Sequence, residues 1–221
     1  MDISSERISR AVGAVVCVLA TFAAVPAYAD IYEFDKRRTE VRFSYLMGLA
    51  KQSGHFSEVK GTLQFDDGKL DRSKVSATVM TASLVTGEPY VDDELKGSDF
   101  FNVASNPVMT FKSHSVRSTG PNTADMDGNI TVNGITKPIT FQVSLHPHDD
   151  PALKYSAGLR EFRATAQIQR SAFNMTAYPS MVGDAVGLEI VAVVRKTSKK
   201  AHQDVIAPET VTKGWEPTNT Q

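Results

Sequence analysis

The feature that most constrains the fold is a regular alternation of apolar and polar residues over several short stretches. It is clearest in residues 41–45, 59–65, 75–79 and 139–145, where every second residue is apolar or glycine. Successive side chains of a β-strand point to opposite faces, so this period of two predicts strands with one buried face and one wet face. Such strands are typical of antiparallel sheets, because strands of parallel sheets are usually buried on both faces.

The number of these stretches predicts an all-β domain. Roughly eight strand-like runs lie between Ile31 and Val194, a number that suits closure into a barrel. Turn residues separate several of them, as at Asp66–Gly68 and Asn133-Gly134. No long amphipathic helix connects two runs, which argues against parallel βαβ units. We therefore predict an all-β, eight-stranded antiparallel barrel with one or two short helices over residues 30–196. A sandwich of two sheets fits the pattern nearly as well.

One block, residues 92–111, interrupts the strand pattern. It opens with Asp92-Asp93, acidic residues of the kind that favour the first turn of a helix. Asn106-Pro107 ends its irregular part, because proline lacks an N–H and fixes its own φ. Between them lies the apolar pair Phe100-Phe101. A short apolar helical unit on an all-β chain suggests a flap that shields an apolar interior.

The N-terminus has the pattern of a secretory signal peptide over residues 1–29. Arg7 and Arg10 precede an apolar run, Ala11–Val25, that is too short to span a bilayer. Ala27-Tyr28-Ala29 matches the small-residue cleavage site of such signals. We therefore expect the mature chain to begin at Asp30 and to be secreted into the periplasm, without stable insertion in the membrane.

Cysteine content and charge exclude several classes of protein. The only cysteine, Cys17, lies within the predicted signal, so the mature chain has no thiol for a disulfide, a thiolate metal site or a nucleophile. The formal net charge is −1 and no basic stripe is present. Arg195-Lys196 and Lys199-Lys200 form the densest basic cluster, which we interpret as a solvated strand end and not as a nucleic-acid site.

The C-terminal residues 197–221 lose the apolar periodicity. Proline, glycine and polar residues dominate there, a composition that predicts a disordered polar tail. The only tryptophan, Trp215, lies in this tail, where we expect it to be either exposed or an anchor that docks onto a surface.

No group of residues stands out as catalytic machinery. His146-Pro147-His148 followed by Asp149-Asp150 is the best metal candidate, because residues two apart on a strand face the same side. Spacing fixes no third ligand, so a purely structural role is favoured and no metal or cofactor is expected. The acidic residues 92–94 and Asp99 resemble a carboxylate pair for glycosidic chemistry, but helix capping is the simpler account. We expect a protein that is not an enzyme.

A large set of apolar residues remains, spread over nearly every predicted strand. A filled core is the usual explanation, but the extra apolar flap favours a lined cavity for a lipid tail. The residues expected to line it are Phe43, Tyr45, Phe56, Leu63, Phe65, Leu84, Phe100, Phe101, Met109, Phe111, Phe141 and Phe173. Arg170 and Asn174, near the mouth formed by the last long connection, are expected to orient a polar head group.

Several short motifs recur in the order that is typical of one family. They are Phe43, GHF at 54–56, GTLQFD at 61–66, Ser83-Leu84 with Thr86, residues 92–101, Asn106-Pro107, Thr110-Phe111, Ser113, Gly128, VNGITKPI at 132–139, Ile168–Arg170, Phe173 and Gly183-Asp184. In these residues the chain resembles the YceI-like family of secreted lipid- and polyisoprenoid-binding proteins, over about Ile31 to Val194.

The resemblance implies a lipocalin-like barrel that holds a long isoprenoid chain, such as that of a polyprenyl quinone, for transport, storage or sequestration. Members of this family often carry histidines at four positions where this chain has Arg38, Met47, Glu94 and Asn133. If those histidines bind a head group or a metal in the family, that binding is absent or altered in this chain.

Three functional hypotheses follow. The first is a protein that binds an amphiphilic lipid and does not bind nucleic acid. The second is a stress-related protein-interaction module with a filled barrel core and no ligand. The third is an enzyme that acts on a lipid in the barrel, which would need a carboxylate or histidine cluster facing the cavity. The sequence leaves open whether two copies associate as a homodimer.

Overall fold

The structure, a computed structural model, describes residues 29–146 and 158–197. The strands are β1 (Asp30–Phe34), β2 (Glu40–Met47), β3 (Ala50–Phe56), β4 (Val59–Phe65), β5 (Lys74–Met80), β6 (Leu84–Val85), β7 (Val108–Gly120), β8 (Thr123–Val132), β9 (Ile135–His146), β10 (Leu159–Gln169) and β11 (Ala185–Lys196). The helix α1 spans Pro89–Lys96, and short 3-10 turns span Leu70–Arg72, Thr81–Ser83 and Arg170–Phe173.

The strands close into a barrel in which all neighbours are antiparallel. The ring runs β1-β4-β5-β7-β8-β9-β10-β11 and is closed by pairing of β11 with β1. Towards one end of the barrel, β11 pairs with β2, β2 with β3, and β3 with β6. The consecutive strands β1 and β2 thus occupy the same place in the ring at different heights, as do β3 and β4, and β5 and β6. Each of these pairs forms one barrel strand that is interrupted along its length. The predicted eight-stranded antiparallel barrel is confirmed, and the sandwich is not.

The direction of the strands defines two ends of the barrel. The upper end, as we call it, carries the β2–β3 turn, α1, the β8–β9 turn and the segment 170–184 between β10 and β11. The lower end carries the β4–β5 connection, the β7–β8 turn and the last residues of β11. At the upper end Asn133 and Gly134 have φ values of 49° and 73°. Two consecutive positive φ values give the tight turn that suits a hairpin, as the Asn-Gly pair predicted.

The flap, defined here as residues 89–101, contains α1 and the turns after it. The helix begins at Pro89 and not at the acidic pair predicted to open it, and of that pair only Asp92 lies in its first turn. Proline suits the first helical position because its φ is preset and its missing N–H would have no partner there. Within the described part of the chain, no helix has the length and apolarity needed to cross a bilayer.

Buried side chains form clusters stacked along the barrel. The upper cluster joins the flap to the barrel and includes Phe43, Phe56, Leu95 and Phe100. Met126, Phe141 and Ala164 pack in the middle, and Tyr32, Leu63, Phe65 and Val194 pack near the lower end.

Three sequence predictions lie largely outside the described residues. Two of them are the signal peptide, of which only Ala29 is described, and the polar tail after Thr197 with Trp215. The candidate metal motif is also outside, apart from the backbone of His146, the last residue of β9.

Candidate lipid-binding cavity

A cavity of about 320 Å³ occupies the barrel interior. Along β7 its wall extends from Met109 to Val116, a length of about 23 Å at roughly 3.3 Å per residue. Its volume falls at the lower end of the roughly 300–1,000 Å³ that is typical of ligand sites. The cavity is therefore long and narrow, a shape that suits a chain better than a compact molecule.

Eleven of the fourteen predicted binding residues line this cavity. They are Phe43, Tyr45, Phe56, Leu63, Phe65, Phe100, Phe101, Met109, Phe111, Phe141 and Arg170. They come from both interrupted and continuous strands and from the flap, so the structure brings together residues far apart in the sequence.

Three predicted residues are not part of the cavity wall. Leu84 and Phe173 are almost completely buried, with 0% and 2% of their surface exposed, and they pack in the upper cluster beside the wall. Asn174 is exposed and adopts a left-handed conformation, φ 60°, at the end of the 3-10 turn Arg170–Phe173. It is placed there as a helix-terminating residue, for which asparagine is suited.

Sequence reasoning missed many wall residues on the last two strands, most of which are small or aliphatic. On β10 and β11 they are Phe162, Ala164, Ile168, Val186, Leu188, Ile190, Ala192 and Val194. The positions mostly alternate, so the period-of-two signal would have found them had it been applied to every apolar residue of these strands.

The flap covers the upper end of the cavity with aromatic side chains. The ring of Phe101 packs edge-on against Phe56, with centroids 5.2 Å apart, and against Phe43 at 6.3 Å. The Asn133 side-chain amide ties the flap to its surroundings by donating to the carbonyl of Phe100 at 2.6 Å and to that of Phe173 at 3.2 Å. The flap is thus fixed at both its inner face and its base.

Acidic residues of the flap act in its structure. The Asp92 carboxylate accepts hydrogen bonds from the backbone N–H and the hydroxyl of Thr86, both at 2.6 Å. These bonds, mainly the one from the hydroxyl, hold the pKa of Asp92 below its usual range. Glu94 accepts a hydrogen bond from the Tyr178 hydroxyl at 2.9 Å, which raises the pKa of that tyrosine. The helix has no side-chain cap, so the capping expected of these residues is not observed, and Asp92 and Glu94 instead tie the flap to neighbouring segments.

Arg170 is a buried cation in the wall at the upper end. Only 5% of its surface is exposed. Its guanidinium donates to three carbonyls of the segment 170–184, those of Met175 at 2.6 Å, Val182 at 2.8 Å and Gly183 at 3.1 Å. The residue was expected at an open mouth. It is instead enclosed because it holds this segment against the barrel.

Few other polar groups face the cavity. At the upper end the phenol of Tyr45 lines the wall, and its burial raises its pKa, so the hydroxyl stays protonated. The lower end is more polar, with Asp67, Ser73, Asn122 and Thr123 in the wall. Asp67 pairs with Arg160 at 3.1 Å, and the Arg160 guanidinium lies 5.0 Å from the ring centre of Phe65.

Of the four positions where the resemblance leads one to expect histidine, two make the bonds described above, those of Glu94 and Asn133. The other two, Arg38 and Met47, are exposed. Among the described residues, no group of three or more histidine, cysteine or acidic side chains is placed to hold a metal ion.

Sequence comparisons place this barrel among known proteins. A family model described as YceI-like domain matches residues 32–194. A "UPF0312 protein" of Pseudomonas aeruginosa (strain LESB58) is 36% identical over 166 residues, which cover 73% of this chain and 85% of that protein. A "UPF0312 protein" of Pectobacterium atrosepticum is 36% identical over 155 residues, covering 68% of this chain and 78% of that protein.

Two solved structures share the fold. BcnA of Burkholderia cenocepacia superposes with a TM-score of 0.66 at 23% identity, covering 72% of this chain and 98% of BcnA. A domain from Saccharophagus degradans described as polyisoprenoid binding, and implicated in plant cell wall breakdown, gives a TM-score of 0.59 at 13% identity, covering 75% of this chain and 98% of that domain.

Proposed function

Because the chain belongs to the YceI-like domain family, we propose that it is a secreted, periplasmic protein that binds a long-chain polyisoprenoid or a related lipid, such as a polyprenyl quinone, inside its barrel. Its role would be transport, storage or sequestration of that lipid, without catalysis. The observation that carries the proposal is the long apolar cavity along the barrel axis, closed above by an aromatic flap.

The chemistry of the wall supports an apolar chain as the occupant. Aromatic and aliphatic side chains form nearly all of it, and its polar groups are confined to the two ends. Each methylene of a ligand moved from water into such surroundings contributes about 0.8 kcal/mol. A chain of several isoprene units is therefore held tightly without strong polar contacts along its length.

The likeness to a domain described as polyisoprenoid binding agrees with this choice of ligand. The predicted signal peptide at residues 1–29 is the basis for the periplasmic location. Expression of the full chain with fractionation of the cells tests that location, and a cytoplasmic, uncleaved product would contradict it.

Mass spectrometry of organic extracts tests the binding itself. The purified protein is extracted with solvent, and a delipidated sample is then incubated with a polyprenyl quinone and a polyprenyl alcohol before native mass spectrometry. We expect a co-purified prenyl lipid or uptake of at least one added compound with one molecule per chain. Recovery of no lipid together with no uptake would refute the proposal.

The cavity favours lipid binding over the alternative of a stress-related interaction module with a filled core. The two hypotheses differ in the effect of removing residues 201–221, which follow Lys200. Lipid uptake should survive this truncation, whereas a partner that docks on the tail around Trp215 would be lost.

A further inference from the structure

The cation at the upper end of the cavity makes no direct ion pair with any described residue. Arg170 is 5% exposed and lines a wall that is otherwise almost entirely apolar. Its three acceptors are neutral backbone carbonyls. The carboxylate that follows on the same segment, Asp184, accepts the N–H and hydroxyl of Ser171, both at 2.9 Å. These bonds, together with the more distant charge of Arg170, hold the pKa of Asp184 below its usual range, but no direct ion pair joins the two side chains.

The ion pairs of the described residues do not include Arg170. Those of arginine join Arg42, Arg117, Arg160, Arg163 and Arg195 to carboxylates on the surface or at the lower end. Arg170 differs from these arginines in being enclosed and in making no direct ion pair, so that only the more distant Asp184 carboxylate offsets its charge. A buried charge is costly unless it is paired, because the low dielectric of the interior replaces its hydration poorly.

The guanidinium also has donor capacity left. It carries five N–H groups, and the carbonyls of Met175, Val182 and Gly183 take one from each nitrogen. One N–H on each terminal nitrogen therefore has no acceptor among the described residues. Paired donors on an arginine match two oxygens of a carboxylate or phosphate, and such charge-assisted bonds are about twice as strong as neutral ones.

A second donor lies at the same end. Tyr45 lines the cavity wall, its hydroxyl makes no hydrogen bond to a described residue, and burial raises its pKa, so the hydroxyl stays protonated. The wall near the flap therefore offers N–H and O–H donors and no carboxylate. Such a site favours a ligand group that accepts hydrogen bonds and carries negative charge.

We infer that the ligand of this barrel is an anionic amphiphile, with an oxyanion head at Arg170 under the flap and its apolar chain directed towards the lower end. The inference rests on the proposed lipid-binding function and narrows its ligand class to long chains headed by a carboxylate or a phosphate. Both heads share the required chemistry, and neutral quinones and alcohols of the same chain bind more weakly.

Pairs of ligands with one chain and two heads test this inference. Geranylgeranyl phosphate is compared with geranylgeraniol, and palmitate with hexadecanol, by competition for the delipidated full chain. We expect the wild-type protein to prefer each anion at least tenfold over its neutral partner, a difference of about 1.4 kcal/mol. Preference for phosphate alone, or for both anions, supports the inference and identifies the source of the head.

Variants separate a head-group role from the structural role of Arg170. Arg170→Lys keeps the charge and should retain most of the preference for anions, whereas Arg170→Gln should reduce the ratio of the two affinities towards one. The matched control is Arg117→Gln, which removes an exposed guanidinium on the outer surface of β7 and should leave the ratio unchanged. A purely structural Arg170 would lower both affinities equally in the glutamine variant and leave their ratio intact.

The outcomes are distinguishable from failure of the proposed function. If the wild-type protein binds the neutral chains as tightly as the anions, the inference is overturned while lipid binding stands. This comparison needs only the wild-type protein, so the inference can be refuted even if the Arg170→Gln variant does not fold. If no chain binds at all, the proposed function itself is wrong.

Discussion

Substitution of Ala164 by phenylalanine would place an aromatic ring in the middle of the cavity. Ala164 is the central residue of β10, and its side chain faces the interior beside Met126 and Phe141. Below Ala164 the wall continues with Phe162 on the same strand and with Leu145 and Asn122 at the lower end. A ring at position 164 therefore separates this lower part of the cavity from the upper part.

The expected loss of affinity follows from the length of chain that is excluded. An isoprene unit has five carbons, so each unit kept out of the cavity loses up to about 4 kcal/mol of burial. A tenfold change in affinity needs only 1.4 kcal/mol. Exclusion of one unit is therefore measurable even if most of that burial is not realised. The ring itself enters existing space, so the cost to stability should not exceed the roughly 1–3 kcal/mol of overpacking.

The assay is affinity as a function of chain length. Prenyl compounds of one head group and increasing numbers of isoprene units are titrated into wild type, Ala164→Phe and the control Thr165→Phe, whose new ring would lie on the exposed face of the same strand. Affinity should rise with length in wild type and in the control, and should level off at a shorter chain in Ala164→Phe. The same length dependence in a folded Ala164→Phe protein would refute binding along the barrel axis.

Three further predictions concern the flap and the barrel wall. Asp92→Asn should lower the free energy of unfolding by about 1 kcal/mol at neutral pH, because the partly exposed carboxylate accepts two hydrogen bonds from Thr86. The pKa of Asp92 lies below its ordinary value, so this contribution is complete above the ordinary value and is lost as the pH falls through the lowered pKa. Urea unfolding of the two proteins should therefore differ at neutral pH and converge in strong acid. Gly128→Ala should destabilise the barrel by about 1–3 kcal/mol, because a Cβ there would lie 2.5 Å from the Phe111 ring and 2.6 Å from the carbonyl of Lys112; an unchanged denaturation midpoint would contradict this. Phe101→Ala should lower the free energy of unfolding by about 2 kcal/mol, less than truncation of a fully buried phenylalanine. It should also speed the release of lipid, measured by stopped-flow transfer to vesicles. Equal release rates in the variant and the wild type would show that the flap does not retain the ligand.

The regular strands could be predicted from the sequence because their signal is local. Alternation in residues 41–45 and 139–145 identified β2 and β9, and the pair Asn133-Gly134 identified the turn before β9. The interruptions between β1 and β2 and between β3 and β4 carry no such local pattern. Closure depends on pairing of β1 with β11, which are far apart in the chain, so a sandwich could not be excluded beforehand.

The candidate site was predicted in its apolar part and only coarsely in its polar part. Aromatic residues such as Phe43 and Phe141 face the interior because an alternating strand in a barrel has no other buried side. The enclosure of Arg170 depends on carbonyls of residues 175, 182 and 183, whose positions are set by the path of a loop. Asn174 was placed at a mouth by sequence proximity alone, and its left-handed conformation directs it elsewhere.

Contacts between a bound chain and the methionine methyl groups test the central claim most directly. Met109, Met126 and Met175 line the cavity, whereas Met47 and Met181 are exposed at the upper end, so one protein contains both probes and controls. With methyl-labelled methionine and a bound prenyl lipid, NMR should show nuclear Overhauser effects from the chain to Met109 and Met126 and none to Met47 or Met181. Effects confined to Met47 and Met181 would place the lipid on the outside and contradict a ligand-holding barrel.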